Sequence, residues 1–203
     1  RDAVFFFFFF FLILSAIFFV FFNYFFIRYF WLFNTLLGFF VSKDMNKNIV
    51  LKGKKVILRP LRLSDAQRFC SWMGDVEVTK FLSVHHLPKP SLAEEKDWIR
   101  KSRKAKRQIN FAIDSVDGNH IGSCSIRNID LWNRNAELGI IIGDKKYWGQ
   151  GCGTDAVRLM LDHSFKKLKL NSVYLYYIFF NVRAQNAYKR VGFKVIGKYR
   201  QHV

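Results

Sequence analysis

The sequence predicts one α/β domain with a mixed sheet and flanking helices, preceded by an apolar segment of different character. Three observations carry this. From about residue 54 onward, β-branched runs alternate with stretches of helical spacing, an order that neither a helix bundle nor a β-sandwich produces. The three cysteines, Cys70, Cys124 and Cys152, are odd in number and lack C-x-x-C or C-x-x-H spacing, which argues against a disulfide scaffold or metal site and for a reducing, cytoplasmic setting. Composition also breaks at Met45: of 24 phenylalanines in the 203 residues, 17 lie between Phe5 and Phe40. Residues 1–44 hold Arg1, Arg28 and Lys43 against Asp2 and Asp44, a net +1, so residues 45–203 carry +17 of the total +18.

In the first segment, Ala3 to Ile27 is a stretch of 25 residues without a charge. At about 1.5 Å per residue it is long enough to cross about 30 Å of hydrocarbon. A secretory signal is not indicated, because a basic n-region and an A-x-A-like cleavage site are both missing. As a membrane helix it would keep the following domain in the cytoplasm, since Lys43, Lys47, Lys52, Lys54 and Lys55 lie on its C-terminal side. The competing reading is that the unbroken run Phe5 to Phe11 translates a thymine-rich tract and that the native protein starts at Met45. Residues 1–44 therefore read either as a transmembrane helix or as non-native upstream sequence.

The domain over 45–203 is read element by element. Val56-Ile57-Leu58, within 54–61 and stopped by Pro60, is a first strand. Ser64-Asp65-Ala66-Gln67 has the S-x-x-Q form of a capping box, opening a helix with Ala66, Phe69, Cys70 and Met73 on one face. A second box, Ser91 with Glu94, opens a helix that runs to about Arg107. Phe111-Ala112-Ile113, a turn at Asp117-Gly118-Asn119, and Ile121 to Ile126 form a hairpin. Ala136 to Ile142 is a further strand. After Gly149, Gly151 and Gly153, the spacing of Val157, Met160, Leu161, Phe165 and Leu168 predicts an amphipathic helix. Val173 to Phe180 is β-branched and aromatic almost throughout, which predicts a central strand covered on both faces. Arg183 to Val191 is a short helix, and Phe193 to Ile196 begins a last strand. The order is β-α-α-β-β-β-α-β-α-β.

Two segments carry chemistry. Lys145 to Thr154 places a glycine cluster between a strand and a helix start, where unpaired N–H groups and a partial positive charge suit a phosphate. It lacks the G-K-[ST] ending of a P-loop and the spacing of a dinucleotide fingerprint. Alone it is equally a tight turn. Further on, Asn181 to Phe193 fits N-x-x-A-x-x-x-Y-x-x-x-G-F. With both motifs in this order, the sequence resembles the GCN5-related N-acetyltransferase family over about residues 54–200. Ala136-Glu137-Leu138-Gly139 followed by Tyr147-Trp148-Gly149-Gln150-Gly151 resembles the branch that acetylates N-terminal residues of ribosomal proteins.

The resemblance implies a single domain of that fold, its sheet splayed at the centre, using acetyl-CoA as co-substrate and no metal. It implies that the backbone of Gly149, Gln150, Gly151, Cys152, Gly153 and Thr154 holds the pyrophosphate of coenzyme A. The strand Leu138 to Ile142 would splay from Tyr174 to Phe180 to admit the pantetheine arm, with Asn181 bonding that arm. Trp148 stands where the family has Arg or Gln. Tyr188 matches the phenol that protonates the departing thiolate. Attack by an amine requires loss of a proton, for which Glu137 is the candidate base. Backbone N–H groups near Ile140 or Ile141 would stabilise the developing oxyanion. The implied acceptor is a protein N-terminus, with ribosome association, or a small amine such as a polyamine. The domain would lack the family's final strand, which leaves a non-catalytic basic binding module as the alternative.

Simpler readings accompany these roles. Tyr188 can be a packing aromatic, Glu137 a solvated strand-end carboxylate, Cys152 a spectator, and His85-His86 a turn rather than an acceptor contact. Arg100, Lys101, Arg103, Lys104, Lys106 and Arg107 put six cations in eight residues. Without interleaved aromatics or an RNA-binding motif they support no specific nucleic-acid recognition. They read as a solvated helix face or as attraction toward an anionic cofactor or ribosome-associated substrate.

Overall fold

The structure is a computed structural model and describes residues 28–29, 49–82 and 87–200. The elements below all belong to the compact unit Met45–Val203. Strands β1 (Leu51–Lys52), β2 (Val56–Pro60), β3 (Ile109–Ser115), β4 (His120–Asp130), β5 (Asn135–Ile142) and β6 (Ser172–Tyr174) form one sheet in that order. Helices are α1 (Ala66–Met73), α2 (Val76–Thr79), α3 (Leu92–Lys104), α4 (Cys152–Lys166) and α5 (Val182–Arg190). The first five strands pair antiparallel, β2 and β3 across the stretch that carries α1, α2 and α3. Only β5 to β6 is parallel, a pairing that needs a crossover connection, which α4 supplies.

Alternation along the strands sorts side chains to two faces. Phe111 and Ile113 of β3, with Leu138, Ile140 and Ile142 of β5, pack with Ala156, Val157 and Met160 of α4. Ala112 and Ile141, one residue out of phase, pack on the other face with Phe69 and Trp72 of α1, Val78 of α2 and Ile99 of α3. The Trp72 ring lies so close on Gly143 that a Cβ there would sit 2.1 Å from a ring carbon. The three cysteines are free and buried, Cys124 in the strand core and Cys152 at the start of α4.

Under α1 lies a buried charged cluster. Arg59 donates to both oxygens of Asp65 at 2.8 and 2.9 Å and to Asp114 at 2.6 Å. His120 Nδ1 is 3.5 Å from Asp65. Burial alone would raise the Asp65 pKa, but the bonds from Arg59 and from the Arg62 N–H hold it below the usual carboxylate range. This cluster also corrects the first expected cap. The expected Ser64–Gln67 box does not form: Asp65 precedes α1 without a side-chain cap bond and instead takes the backbone N–H of Arg62, at 2.7 Å, its carboxylate held by the Arg59 guanidinium. The box of Ser91 and Glu94 forms as expected.

Two strand expectations are corrected. The segment 173–180 is not a central strand: β6 ends at Tyr174, forms the sheet edge, and leaves Phe179 70% exposed. Its apolar run reflects aromatic rings meeting edge-on or tilted at the sheet edge, not cover on both faces. Residues 193–196 form no strand, and Ile196 is 94% exposed. Among the described residues no further strand pairs with that edge. The Ala3–Ile27 stretch and His85-His86 lie outside the described residues, and no described helix is long and apolar enough to cross a membrane.

Candidate active site

The cleft starts where β5 and β6 part. They pair over Asn135–Glu137 and Ser172–Tyr174, and beyond that point Leu138–Ile142 continues as strand while 175–178 does not. The mixed sheet is thus open beside β5. The Gly143 N–H bonds Ile121 O, so in an antiparallel ladder Ile141 also faces β4 and Ile140 and Ile142 turn their backbone groups to the open side. Trp148 Nε1 confirms this by donating to Ile142 O at 2.7 Å. Of the two alternatives for an oxyanion donor, Ile140 thus faces the open side, while Ile141, opposite Ser123 in the register, turns its backbone to β4.

The glycine loop closes one end of the opening. Gly149 and Gly151 have φ of 76° and 84°, the left-handed region that glycine enters without steric cost. Gly151 is the N-cap of α4, and the Asp155 N–H makes the first helical bond to its carbonyl at 3.0 Å. The N–H groups of Cys152, Gly153 and Thr154 are the donors that a helix leaves without internal partners. An added Cβ on Gly149 would meet nothing within 4 Å, so open space adjoins the loop. Donor set and clearance fit a diphosphate. Gln150 turns its amide to Lys146 O at 2.6 Å, leaving backbone as its contribution to the cradle.

Across the opening, α5 begins at Asn181, whose Oδ1 caps the helix by accepting from the Ala184 N–H at 3.1 Å. The cap uses Oδ1 and leaves the side-chain amide nitrogen as a donor. One residue into α5, Arg183 stacks on the Trp148 ring with its guanidinium carbon 3.6 Å from the centroid, joining α5 to the loop. Burial draws the Arg183 pKa down from its usual value. Tyr188 lies between Tyr177 and Phe193, ring centroids 5.9 Å away on either side, and burial pushes its phenol up to about 12. It holds its proton at neutral pH, as a proton donor must.

Glu137 is buried and paired. Arg127 Nε and Nη2 donate to Oε1 at 3.0 and 2.5 Å, and Asn128 Nδ2 donates to Oε2 at 3.0 Å. Three donors occupy a carboxylate with about four acceptor positions, leaving one on Oε2. Sequence reasoning missed both partners. Arg127 stands opposite Glu137 in the β4–β5 register, which only the hairpin pairing reveals. Asn128 has φ 53°, a conformation that Asn tolerates better than most residues, at the register shift between Arg127 and Asp130.

Other candidate side chains have structural surroundings. Cys152 is buried at the first helical position, and burial raises its thiol pKa. In the basic run, Arg103 bonds Leu61 O, Arg107 bonds Ile129 O, and Lys101 pairs with Asp97. Arg103 thus ties α3 to the segment after β2 and Arg107 ties the chain beyond α3 to β4, while Lys101 pairs within the helix. Lys145 ties the loop to α2 through Asp75 and Glu77, both at 2.7 Å. Among the described residues no cluster of three or more metal-binding side chains occurs.

Comparison with known proteins agrees with this geometry. The family model "Acetyltransferase (GNAT) domain" matches residues 55–194. The candidate ribosomal N-acetyltransferase YdaF of Bacillus subtilis (strain 168) is 36% identical over 152 residues, covering 73% of this chain and 82% of that protein. Spermidine N(1)-acetyltransferase of Escherichia coli (strain K12) is 29% identical over 143 residues, 70% and 75% of the two chains. The crystal structure of spermidine N-acetyltransferase from Vibrio cholerae, in complex with CoA and spermine, superimposes with a TM-score of 0.61 at 24% identity, over 68% of this chain and 79% of that one. The chain belongs to the GNAT acetyltransferases, acyltransferases that use acetyl-CoA as co-substrate.

Proposed function

We propose that residues 45–203 transfer acetyl from acetyl-CoA to the α-amine of a protein N-terminus, by direct attack in a ternary complex in the cytoplasm. The observation that carries the catalytic part is the parting of β5 from β6 after Glu137, with the glycine loop at one side of the gap and Asn181 and Tyr188 at the other. Acetyl-CoA supplies an activated thioester. The loop N–H groups from Gly149 to Thr154 hold its diphosphate, and Asn181 orients the arm. The Ile140 N–H, aimed into the gap, stabilises negative charge on the carbonyl oxygen. The amine loses its proton through the free acceptor position on Glu137 Oε2, by way of water, while Arg127 and Asn128 fix that carboxylate in place. Tyr188 gives its proton to the leaving thiolate.

Charge supports a protein acceptor over a free polyamine. A domain at +17 repels a polycation on approach, whereas one amine on a peptide adds little repulsion. A ribosome, rich in phosphate, would attract the same domain, which supports ribosome association. The likeness to a spermidine acetyltransferase makes spermidine the comparison substrate. The test is a screen of N-terminal peptides and polyamines for CoA release. Turnover of peptides exceeding that of spermidine is expected; the reverse would assign the polyamine reading. Absence of acetyl-CoA binding in calorimetry would leave the chain as a non-catalytic basic module.

A further inference from the structure

At position 148 the glycine loop carries no cation. Trp148 stands there, and the Arg183 guanidinium is turned onto that ring. A lysine from a distant part of the chain stands at the loop instead. Lys55, in the turn between β1 and β2, donates from Nζ to Gln150 O at 2.5 Å. Its Nζ is 3.6 Å from where a Gly151 Cβ would be. The backbone fixes this placement: the N–H groups of Lys55 and Val56 both bond Asp155 Oδ2, at 2.7 and 3.2 Å, in the first turn of α4. Gly53 lets the turn approach, because a Cβ there would lie 2.3 Å from the same carboxylate oxygen.

This is an unusual place for a lysine. The N-terminal end of a helix carries partial positive charge and favours anions, so an ammonium held beside it is unfavourable on its own. Asp155 offsets part of this, but the oxygen nearest the turn is spent on two backbone N–H groups. An ammonium has three donors, and Gln150 O takes one. The two others and the loop's N–H groups form a donor set of like sign that an anion would satisfy.

We infer that Lys55 is the side-chain cation of the diphosphate subsite, binding coenzyme A together with the backbone of Gly149–Thr154. The inference rests on the acetyl-CoA reading of the loop and adds to it a ligand from outside both motifs. The test is calorimetric titration of coenzyme A into the full chain at several salt concentrations, for wild type, Lys55→Met, Lys55→Arg and Lys54→Met. Lys55→Met should weaken binding about tenfold at low salt, the size of one charge-assisted hydrogen bond at a partly exposed site. It should also flatten the salt dependence, and Lys55→Arg should restore most of both. Unchanged affinity in Lys55→Met overturns the inference. So does a loss that is equal at all salt concentrations, which would mark a structural role, or an equal loss in Lys54→Met, which would mark diffuse charge. If wild type itself gives no binding, the cofactor reading of the loop fails first and this inference with it.

Discussion

Helix α4 buries Cys152, Ala156, Val157, Met160, His163 and Ser164 against the sheet, whereas α5 buries no residue completely. In the proposed mechanism each carries half of the acetyl-CoA site. The diphosphate end then rests on a helix packed into the hydrophobic core. The end with Asn181 and Tyr188 is held by ring edges from Tyr177 and Phe193, by the Asn181 cap and by the Arg183–Trp148 stack. Such contacts contribute about 0.5–2 kcal/mol each. On the proposed roles, diphosphate binding and proton donation rest on different supports in this domain.

The strongest test of that division is Tyr188→Phe, which keeps the ring contacts and removes the proton. Turnover should fall about 10²–10⁴-fold with coenzyme A affinity nearly unchanged, as steady-state kinetics beside calorimetry would show; a parallel loss of affinity would make Tyr188 a packing residue. Next is Met160→Ala on α4, expected to cost about 2–5 kcal/mol in urea unfolding because the side chain is fully buried. Gly151→Ala should cost about 1 kcal/mol through its positive φ and weaken coenzyme A binding.

A smaller effect follows from pH. Burial lowers the pKa of His163 in α4, and of His120 in the cluster under α1, below the ordinary value of 6.5. Between that value and the lower folded ones the unfolded chain binds more protons, so stability falls as pH falls through this window. The contribution of Asp65, whose folded pKa is depressed, is lost only at lower pH. Melting temperature should be flat above pH 7 and decline from about pH 6.5 downward. A melting temperature that rises on acidification would contradict the histidine burial. Smallest of all, Val182→Ala on the exposed face of α5 should change stability by no more than about 0.5 kcal/mol. A cost like that of Met160→Ala would erase the contrast between the helices.

Much of this was legible in the chain itself, for physical reasons. β2 to β5 announce themselves as short apolar, β-branched runs because helices cover both faces of the sheet, and α4 because it buries one face at period 3.6. The glycines with positive φ and the Asn181 cap are local needs and show locally. What escaped was long-range. Nothing near Glu137 in sequence names Arg127 as its partner, and nothing in the motifs points to Lys55, 100 residues before Asp155. The stretch 173–180 misled because strand propensity is mostly a statement about neighbours, and here the neighbours stop at Tyr174.

The burial of all three cysteines has a practical consequence. A folded molecule offers no thiolate to disulfide reagents in solution, and burial pushes the Cys124 pKa well above that of an ordinary thiol. The coenzyme A released in each turnover can therefore be counted by thiol titration against a silent protein background. Slow colour development without substrate would time the opening of the core itself.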